Sequence, residues 1–306
     1  MSDEANLPGR VFVFGSAHQD LVLSVPELPS AGETVLATSL AKGFGGKGAN
    51  QAIAAAAAGG SVTFIGTLGS DENGTRILQN FADHGIDTSW TRRTDEDSTG
   101  LAVVMVDSEG RNQIVVSSGA GSRFDSDVVD EIVQRLRAGD VVLVQCEIPA
   151  SIVEFVLRAV AATAALCVLN LAPYVALDAS ALSAAGLVVV NESEASALIE
   201  DAGVGAAGDP WSSISAALGT SCIVTLGEEG SVFSTSSGEV VRVPAQSVEG
   251  VVDTTGAGDV YVGTLGALLA RGAAMPAAMA EASSAAATSV LSRGAQSRHS
   301  QATATA

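Results

Sequence analysis

The sequence is short of positive charge. Lys and Arg account for 15 of its 306 residues and Asp and Glu for 34, a formal net charge of −19. Nucleic-acid binding rests on basic side chains that neutralise phosphates, so this balance excludes a nucleic-acid partner from the expectation. Aromatic residues are 4% of the chain, which leaves little surface on which a nucleobase could stack. Cysteine is scarce too. Cys146, Cys167 and Cys222 sit singly inside apolar runs, which argues against a disulfide framework and a zinc site and predicts three buried thiols. His18, His84 and His299 are scattered and form no HExxH pattern or Cys/His cluster. No apolar run reaches the ~18–20 residues of a membrane-spanning helix. The amino-terminal stretch MSDEANLPGR lacks the basic start and apolar centre of a secretion signal, so a cytoplasmic protein is expected.

What the sequence does have is apolar content, 47% hydrophobic residues, in a regular alternation. Short runs rich in Val, Ile, Leu and Phe at 11–15, 62–66, 141–145, 166–170, 187–191 and 222–226 read as strands buried on both faces. Helical patterns lie between and after them, at 49–58, 73–84, 127–137, 151–162, 192–201, 210–218, 258–271 and 275–291. This predicts a doubly wound α/β fold in one domain spanning 1–306, with a mainly parallel sheet flanked by helices. Two stretches break the pattern. Residues 21–40 read as extended segments around Pro26 and Pro29, and 99–117 as a hairpin turning at SEG. Together they predict a small β sheet projecting from the main domain, a lid formed by segments of about 20–42 and 98–118. The tail QATATA is expected to be disordered.

Two glycine-rich segments carry the chemistry. The first, GFGGKGANQA at 43–52, runs into an alanine-rich helix, and the chain's only two lysines, Lys42 and Lys47, lie just before it and within it. Its GxGxxG does not read as a dinucleotide site, because no strand pattern runs directly into the glycines and the next strand ends in glycine rather than an acid. Nor is it a Walker loop, since Gly48 follows Lys47 where Ser or Thr should stand. Small residues allow close backbone approach, and Asn50 and Lys47 add the donors and acceptor that could clasp a polyol. The second segment, VVDTTGAGDVYVGT at 251–264, places Gly256, Ala257 and Gly258 at the opening of a helix. Helix-end amides and the helix dipole favour an anion there. Asp259 in that first turn is either a simple cap or a base placed beside a transferred phosphoryl group.

On these residues the chain resembles the ribokinase branch of the ribokinase/phosphofructokinase-B family of sugar kinases, over roughly 11–298. Gly45, Gly46, Asn50, Gly59 and Gly69 match the family's first signature, and 253–259 match DTxGAGD in full. The resemblance implies a ribokinase-like fold with a β lid and an ATP-dependent kinase acting on a primary hydroxyl of a small sugar, D-ribose foremost. Deoxyribose, fructose and adenosine-type acceptors, or a sugar-binding protein without catalysis, are the alternatives. It implies Asp259 as base, with Gly256, Ala257 and Gly258 stabilising the moving group. It implies His18, Asp20, Gly46, Lys47, Gly48, Asn50 and Glu147 around the sugar. Asn191, Thr225, Gly227, Gly230 and Gly258 would hold ATP, with Glu194 linked indirectly to magnesium. Asp253, Thr255, Ser289, Ser292 and Gly294 fall where the family binds a monovalent cation, K+. A homodimer through the lid is a further implication. The chain departs from the pattern twice. His18 stands where the family usually has Asn, and Arg298 where ribokinases commonly have Ser. Arg111 and Arg123, near the hairpin, keep a phosphosugar acceptor open.

Overall fold

A computed structural model describes residues 8–201, 210–294 and 296. The chain folds as β1 (Arg10–Phe14), β2 (His18–Ser24), β3 (Ser39–Gly45), α1 (Lys47–Ala57), β4 (Ser61–Ile65), β5 (Thr67–Gly69), α2 (Glu72–Asp83), β6 (Arg92–Thr94), β7 (Gly100–Val106) and β8 (Asn112–Ser117). It continues through α3 (Asp127–Val133), β9 (Val141–Gln145), α4 (Ala150–Ala161), β10 (Leu166–Asn170), α5 (Ala179–Ala184), β11 (Leu187–Asn191), α6 (Glu192–Asp201) and α7 (Pro210–Leu218). The last elements are β12 (Ser221–Thr225), β13 (Ser231–Ser234), β14 (Val240–Val243), α8 (Ala257–Ala270) and α9 (Met275–Ser289).

The main sheet runs in the order β14-β13-β12-β11-β10-β9-β1-β4. From β12 to β4 every pairing is parallel, and β13 and β14 extend the edge antiparallel. The expected parallel strands are all present. The antiparallel edge was not anticipated, because SVFS and VVRV are too short and too mixed to stand out as strands.

Alternate residues of each strand feed opposite faces, which is why the apolar runs are unbroken. Phe12, Phe14, Val142 and Val144 pack towards α3, α4, α5, α6 and α7. Val11, Val13, Val141 and Leu143 pack towards α1, α2, α8 and α9. Each fully buried side chain of this kind is worth roughly 1.5–3 kcal/mol of transfer free energy. Local signals agree with this packing. Asp71 caps α2 by accepting from the Gly74 N–H at 2.8 Å, and Ile77 and Phe81, one turn apart, point into the core.

The order reverses at β1, with β4 on one side and β9 on the other. Such a switch point opens a crevice beyond the carboxyl ends of the two strands. A second sheet, in the order β3-β2-β7-β8, rises beside it. The lid strands therefore run from His18 and to Gly45, slightly beyond the expected segments. β2 and β7 pair in parallel from His18 opposite Gly100. Thr99, just before β7, is fastened to the main domain. Its N–H and hydroxyl donate to Asp71 at 2.7 and 2.6 Å, and its hydroxyl accepts from the Gly69 N–H at 3.0 Å.

No helix among the described residues is long and apolar enough to cross a membrane. Cys146, Cys167 and Cys222 are buried free thiols, each pushed up to about 12 by burial. Arg298, His299 and the QATATA tail lie outside the described residues.

Candidate active site

The site forms where the switch-point crevice meets the amino ends of α1 and α8. These helices pack unusually close. A Cβ on Gly263 would stand 2.3 Å from the Gln51 carbonyl oxygen, so only glycine permits the approach. The contact draws the first turns of α1 and α8 together and brings Asn50 and Gln51 onto Asp259, more than 200 residues away in the chain.

Asp259 lies in the first turn of α8 and is 5% exposed. Its two carboxylate oxygens accept from Asn50 Nδ2 at 2.9 Å and Gln51 Nε2 at 3.1 Å. Burial pushes its carboxyl above the usual carboxylate range, and the Lys47 charge and the two amide donors only partly offset this. Lys47 shows the complementary behaviour. Burial alone would lower its pKa, yet the charges of Asp259, Glu147 and Glu194 hold it above the ordinary lysine value. A carboxyl raised by burial, beside a cation and bonded by two amide donors, is an environment in which proton transfer can be tuned.

The predicted polyol end assembles on the other side of Lys47. Glu147, just past β9, accepts from the Lys47 N–H at 2.8 Å and the Ser16 hydroxyl at 2.5 Å. Asp20 on β2 accepts from His18 Nδ1 at 2.9 Å. Gly45 leaves room for that carboxylate, since a Cβ there would meet Asp20 Oδ1 at 2.3 Å. Gly46 turns the chain with φ 95° into α1, and Gly48 lies backbone to backbone against Gly15. A cleft of ≈ 380 Å³ opens here, between Val116 and Ser118 of the lid side and Cys146, Glu147 and Ile148. A larger cavity of ≈ 790 Å³ lies between α1, α8 and α9, but Asp20, Lys47, Glu147 and Asp259 do not line it.

Asn50, expected around the sugar, is bonded at both ends of its amide within the protein. Its amide nitrogen is directed at Asp259, and its Oδ1 accepts from Gln296 Nε2 at 2.7 Å. Gln296 Oε1 in turn accepts from Asn80 Nδ2 at 3.0 Å. Since a carboxylate can only accept, this chain of amides sets which end of Asn50 meets Asp259. Gln51 is held in the same way. It donates to Asn170 Oδ1 at 2.9 Å and accepts from Gln145 Nε2 at 2.7 Å. Gln51, Gln145, Asn170, Ser16 and Gln296 were not singled out in the sequence. Gln145 and Asn170 did carry a signal, a polar residue closing an apolar strand.

The predicted nucleotide residues lie at the carboxyl ends of β11 and β12. Asn191 and Glu194 form a reciprocal cap on α6. Asn191 Oδ1 accepts from the Glu194 N–H at 2.9 Å, and Glu194 Oε2 from the Asn191 N–H at 2.8 Å. Burial, with a contribution from Asp259, raises the Glu194 carboxyl, although Lys47 opposes it. Thr225 ends β12, and Gly227 and Gly230 turn the chain with φ 55° and 97° into β13. At α8, Gly256 adopts φ 78° and no side chain caps the helix. Gly258 has open space around its Cα, with nothing within 4 Å of where a Cβ would lie.

The residues expected around a monovalent cation also converge in part. Asp253 accepts from the Thr255 N–H and the Gly294 N–H, both at 2.9 Å. Burial would raise its carboxyl, but these bonds and the Arg293 charge bring it below the usual value. The Ser289 and Ser292 hydroxyls donate to carbonyls three residues earlier, of Ala286 and Ser289. The arginines that left a phosphosugar open are engaged elsewhere. Arg111 pairs with Asp107 and Glu109, and Arg123 with Glu96 and Asp97.

Comparisons with known proteins agree with this geometry. Residues 9–302 match the pfkB family carbohydrate kinase profile. The chain is 37% identical over 290 residues to a ribokinase of Bacillus subtilis, covering 94% of each. It is 31% identical over 297 residues to a deoxyribokinase of Salmonella typhi, covering 94% of this chain and 95% of that one. The solved structure of Arabidopsis thaliana ribokinase, complexed with ribose and ATP, superposes with a TM-score of 0.82 at 30% identity, covering 94% of both chains. A buried carboxylate at an uncapped helix end, set beside a lid-flanked cleft of acceptors, is thus found in a chain that belongs to the pfkB family of carbohydrate kinases.

Proposed function

We propose that this kinase transfers the γ-phosphoryl group of ATP to the primary hydroxyl of D-ribose. The observation that carries the reading is Asp259, buried and ionisable at the open amino end of α8. Asp259 accepts the hydroxyl proton as the oxygen attacks. The amides at Gly256, Ala257 and Gly258 receive the charge that builds on the transferred group. Lys47 keeps Asp259 ionised. Asp20, Glu147 and His18 hold the sugar, and Asn191, Thr225, Gly227 and Gly230 border the nucleotide. Magnesium, when bound with ATP, neutralises phosphate charge. Glu194 suits an indirect, water-mediated link to it, because one of its carboxylate oxygens is already committed to the Asn191 N–H. Asp253, with the hydroxyl oxygens of Thr255, Ser289 and Ser292, offers hard oxygen donors suited to K+.

The test is a panel of D-ribose, 2-deoxy-D-ribose, fructose and adenosine with ATP and magnesium, with and without potassium. Ribose should give the highest kcat/KM, and potassium should raise it. A higher value for adenosine would overturn the sugar assignment. Tight ribose binding with no ADP formed under any condition would point instead to a binding protein. A deoxyribose acceptor is the second reading, favoured by the 31% identity to a deoxyribokinase.

The lid exposes Leu40 and Val115 on one face and Ile114 and Val116 on the other, from 47% to 65% accessible, apolar surface that a second copy would cover. Light scattering should therefore give a dimer mass, and a monomer at micromolar concentration would refute this arrangement.

A further inference from the structure

Gln51 is fully buried in α1, yet both ends of its side-chain amide are bonded to other buried polar groups. Nε2 donates to Asp259 Oδ1 at 3.1 Å and to Asn170 Oδ1 at 2.9 Å. Oε1 accepts from Gln145 Nε2 at 2.7 Å. Gln145 closes β9 and Asn170 closes β10. Asn170 Nδ2 donates in turn to the Val189 carbonyl of β11 at 3.2 Å. Three neighbouring strands of the main sheet thus reach one carboxylate through one glutamine.

The direction of this chain of amides is fixed at both ends. An ionised carboxylate and a backbone carbonyl can only accept. Asp259 therefore requires an N–H from Gln51, and Val189 requires one from Asn170. The second bond leaves Asn170 Oδ1 facing Gln51, which again requires Nε2 there. Both constraints give Gln51 the same orientation. Its Oε1 then takes the amide of Gln145, and Gln145 Oε1 is left buried with no hydrogen-bond partner among the described residues. Turning Gln145 over would set two carbonyl oxygens against each other. A buried unpaired acceptor costs stability. Here it marks a polarity dictated from the other end of the chain.

We propose that Gln51 and Asn170 are positioning residues for the proton-accepting carboxylate. Gln51 holds Asp259 Oδ1 in place and favours its ionised form, and Asn170 holds Gln51 in the orientation that does so. Asn50, the donor to Oδ2, is anchored through Gln296 and Asn80 rather than through the sheet. The charged groups that face Asp259 are Lys47 on α1, Glu147 past β9 and Glu194 on α6, one cation and two anions. This inference rests on Asp259 being the base of the proposed transfer, and it names what holds that base.

The test uses the full chain and three variants, Gln51→Met, Gln51→Glu and Asn170→Leu. Infrared difference spectra of the carboxyl stretch, assigned by the band missing in Asp259→Asn, follow the titration of Asp259 without turnover. Removing a donor disfavours the ionised form. Gln51→Met should move the titration to higher pH by about one unit or more, the scale of a hydrogen bond to a charged group. Asn170→Leu touches no atom of Asp259 and should move it the same way by less. Gln51→Glu keeps the bond from Gln145 but sets a second carboxyl against Asp259, so the pair shares a proton and the upward move is the largest. This variant is close in size to the native side chain and serves the test if the Met variant does not fold.

Steady-state kinetics give the second readout. The acid limb of kcat/KM should move with the titration, plateau kcat should fall about tenfold in Gln51→Met, and KM for sugar and ATP should stay within about threefold. A titration that stays in place in both Gln51 variants overturns the proposal, whatever the activity. One that moves in them but not in Asn170→Leu removes Asn170 from it. A titration that moves while the kinetic limb stays, or while wild type phosphorylates no sugar, leaves the hold of Gln51 standing and refutes Asp259 as the base of a kinase.

Discussion

Gly46 and Gly256 each turn the chain through a positive φ into a helix whose cap residue has no side chain. Beyond that the two helix starts diverge. At α1 a carboxylate from the end of β9 already occupies the amide of Lys47, and the first helical residue is itself a cation. At α8 no side chain occupies the helix end, and the charged residue of the first turn is Asp259. A helix amino end attracts negative charge in both cases. At α1 the protein supplies that charge permanently. At α8 a Cβ on Gly258 would meet nothing within 4 Å, so the helix end has room beside it. In the proposed reaction one local device would serve both ends of the transfer, the filled end organising acceptors for the polyol and the open end facing the phosphate.

The largest test of this division is Asp259→Asn. It removes the base from the open end and should lower kcat by ~10²-fold or more in steady-state assays. Near-normal turnover would mean that proton transfer does not run through this carboxylate. Glu147→Gln acts at the filled end. It replaces a charged acceptor of two hydrogen bonds with a neutral one, a loss of ~1.5–3 kcal/mol, or roughly 10–100-fold in KM for the sugar. KM for ATP should stay unchanged, and a rise in that constant would show that the two ends are not separate.

Lys47→Met gives the smallest effect, a shift along the pH axis. Burial holds the Asp259 carboxyl above the usual range and the Lys47 charge pulls it down. Removing the cation favours the protonated, inactive form. The acid limb of the kcat/KM profile should therefore move to higher pH, while the plateau above it changes little. A limb that stays in place, or moves to lower pH, would separate Lys47 from the base.

The sheet was legible in the sequence because strands buried on both faces leave unbroken apolar runs. The lid was legible as the two stretches with no helical period. Asp259 stood out in the sequence as a carboxylate after three small residues at a helix start, and it lies buried in the first turn of α8. The amide network was not. Asn50 and Gln51 are ordinary polar residues in a helical stretch, and what they touch is decided by the packing of α1 on α8 through Gly263. Asn50 reads as a sugar contact from its neighbours in GGKGANQA, and nothing in that segment signals its bond to Asp259. β13 and β14 escaped for a different reason. Four-residue strands on a sheet edge need only a few apolar side chains, too few to make a pattern.

The Thr99 clasp has a mechanical consequence. With Thr99 tied to Asp71 and Gly69, and with His18 paired to Gly100, the lid leaves the body along a fixed line. Any swing of the sheet pivots there. At about 3.3 Å of rise per residue, Asp20 sits roughly 7 Å along the lever and Ser24 about 20 Å. A rotation that sweeps the tip of the lid widely thus displaces Asp20 about a third as far and His18 hardly at all. His18 and its bond to Asp20 thus sit at the fulcrum, where any such swing disturbs them least.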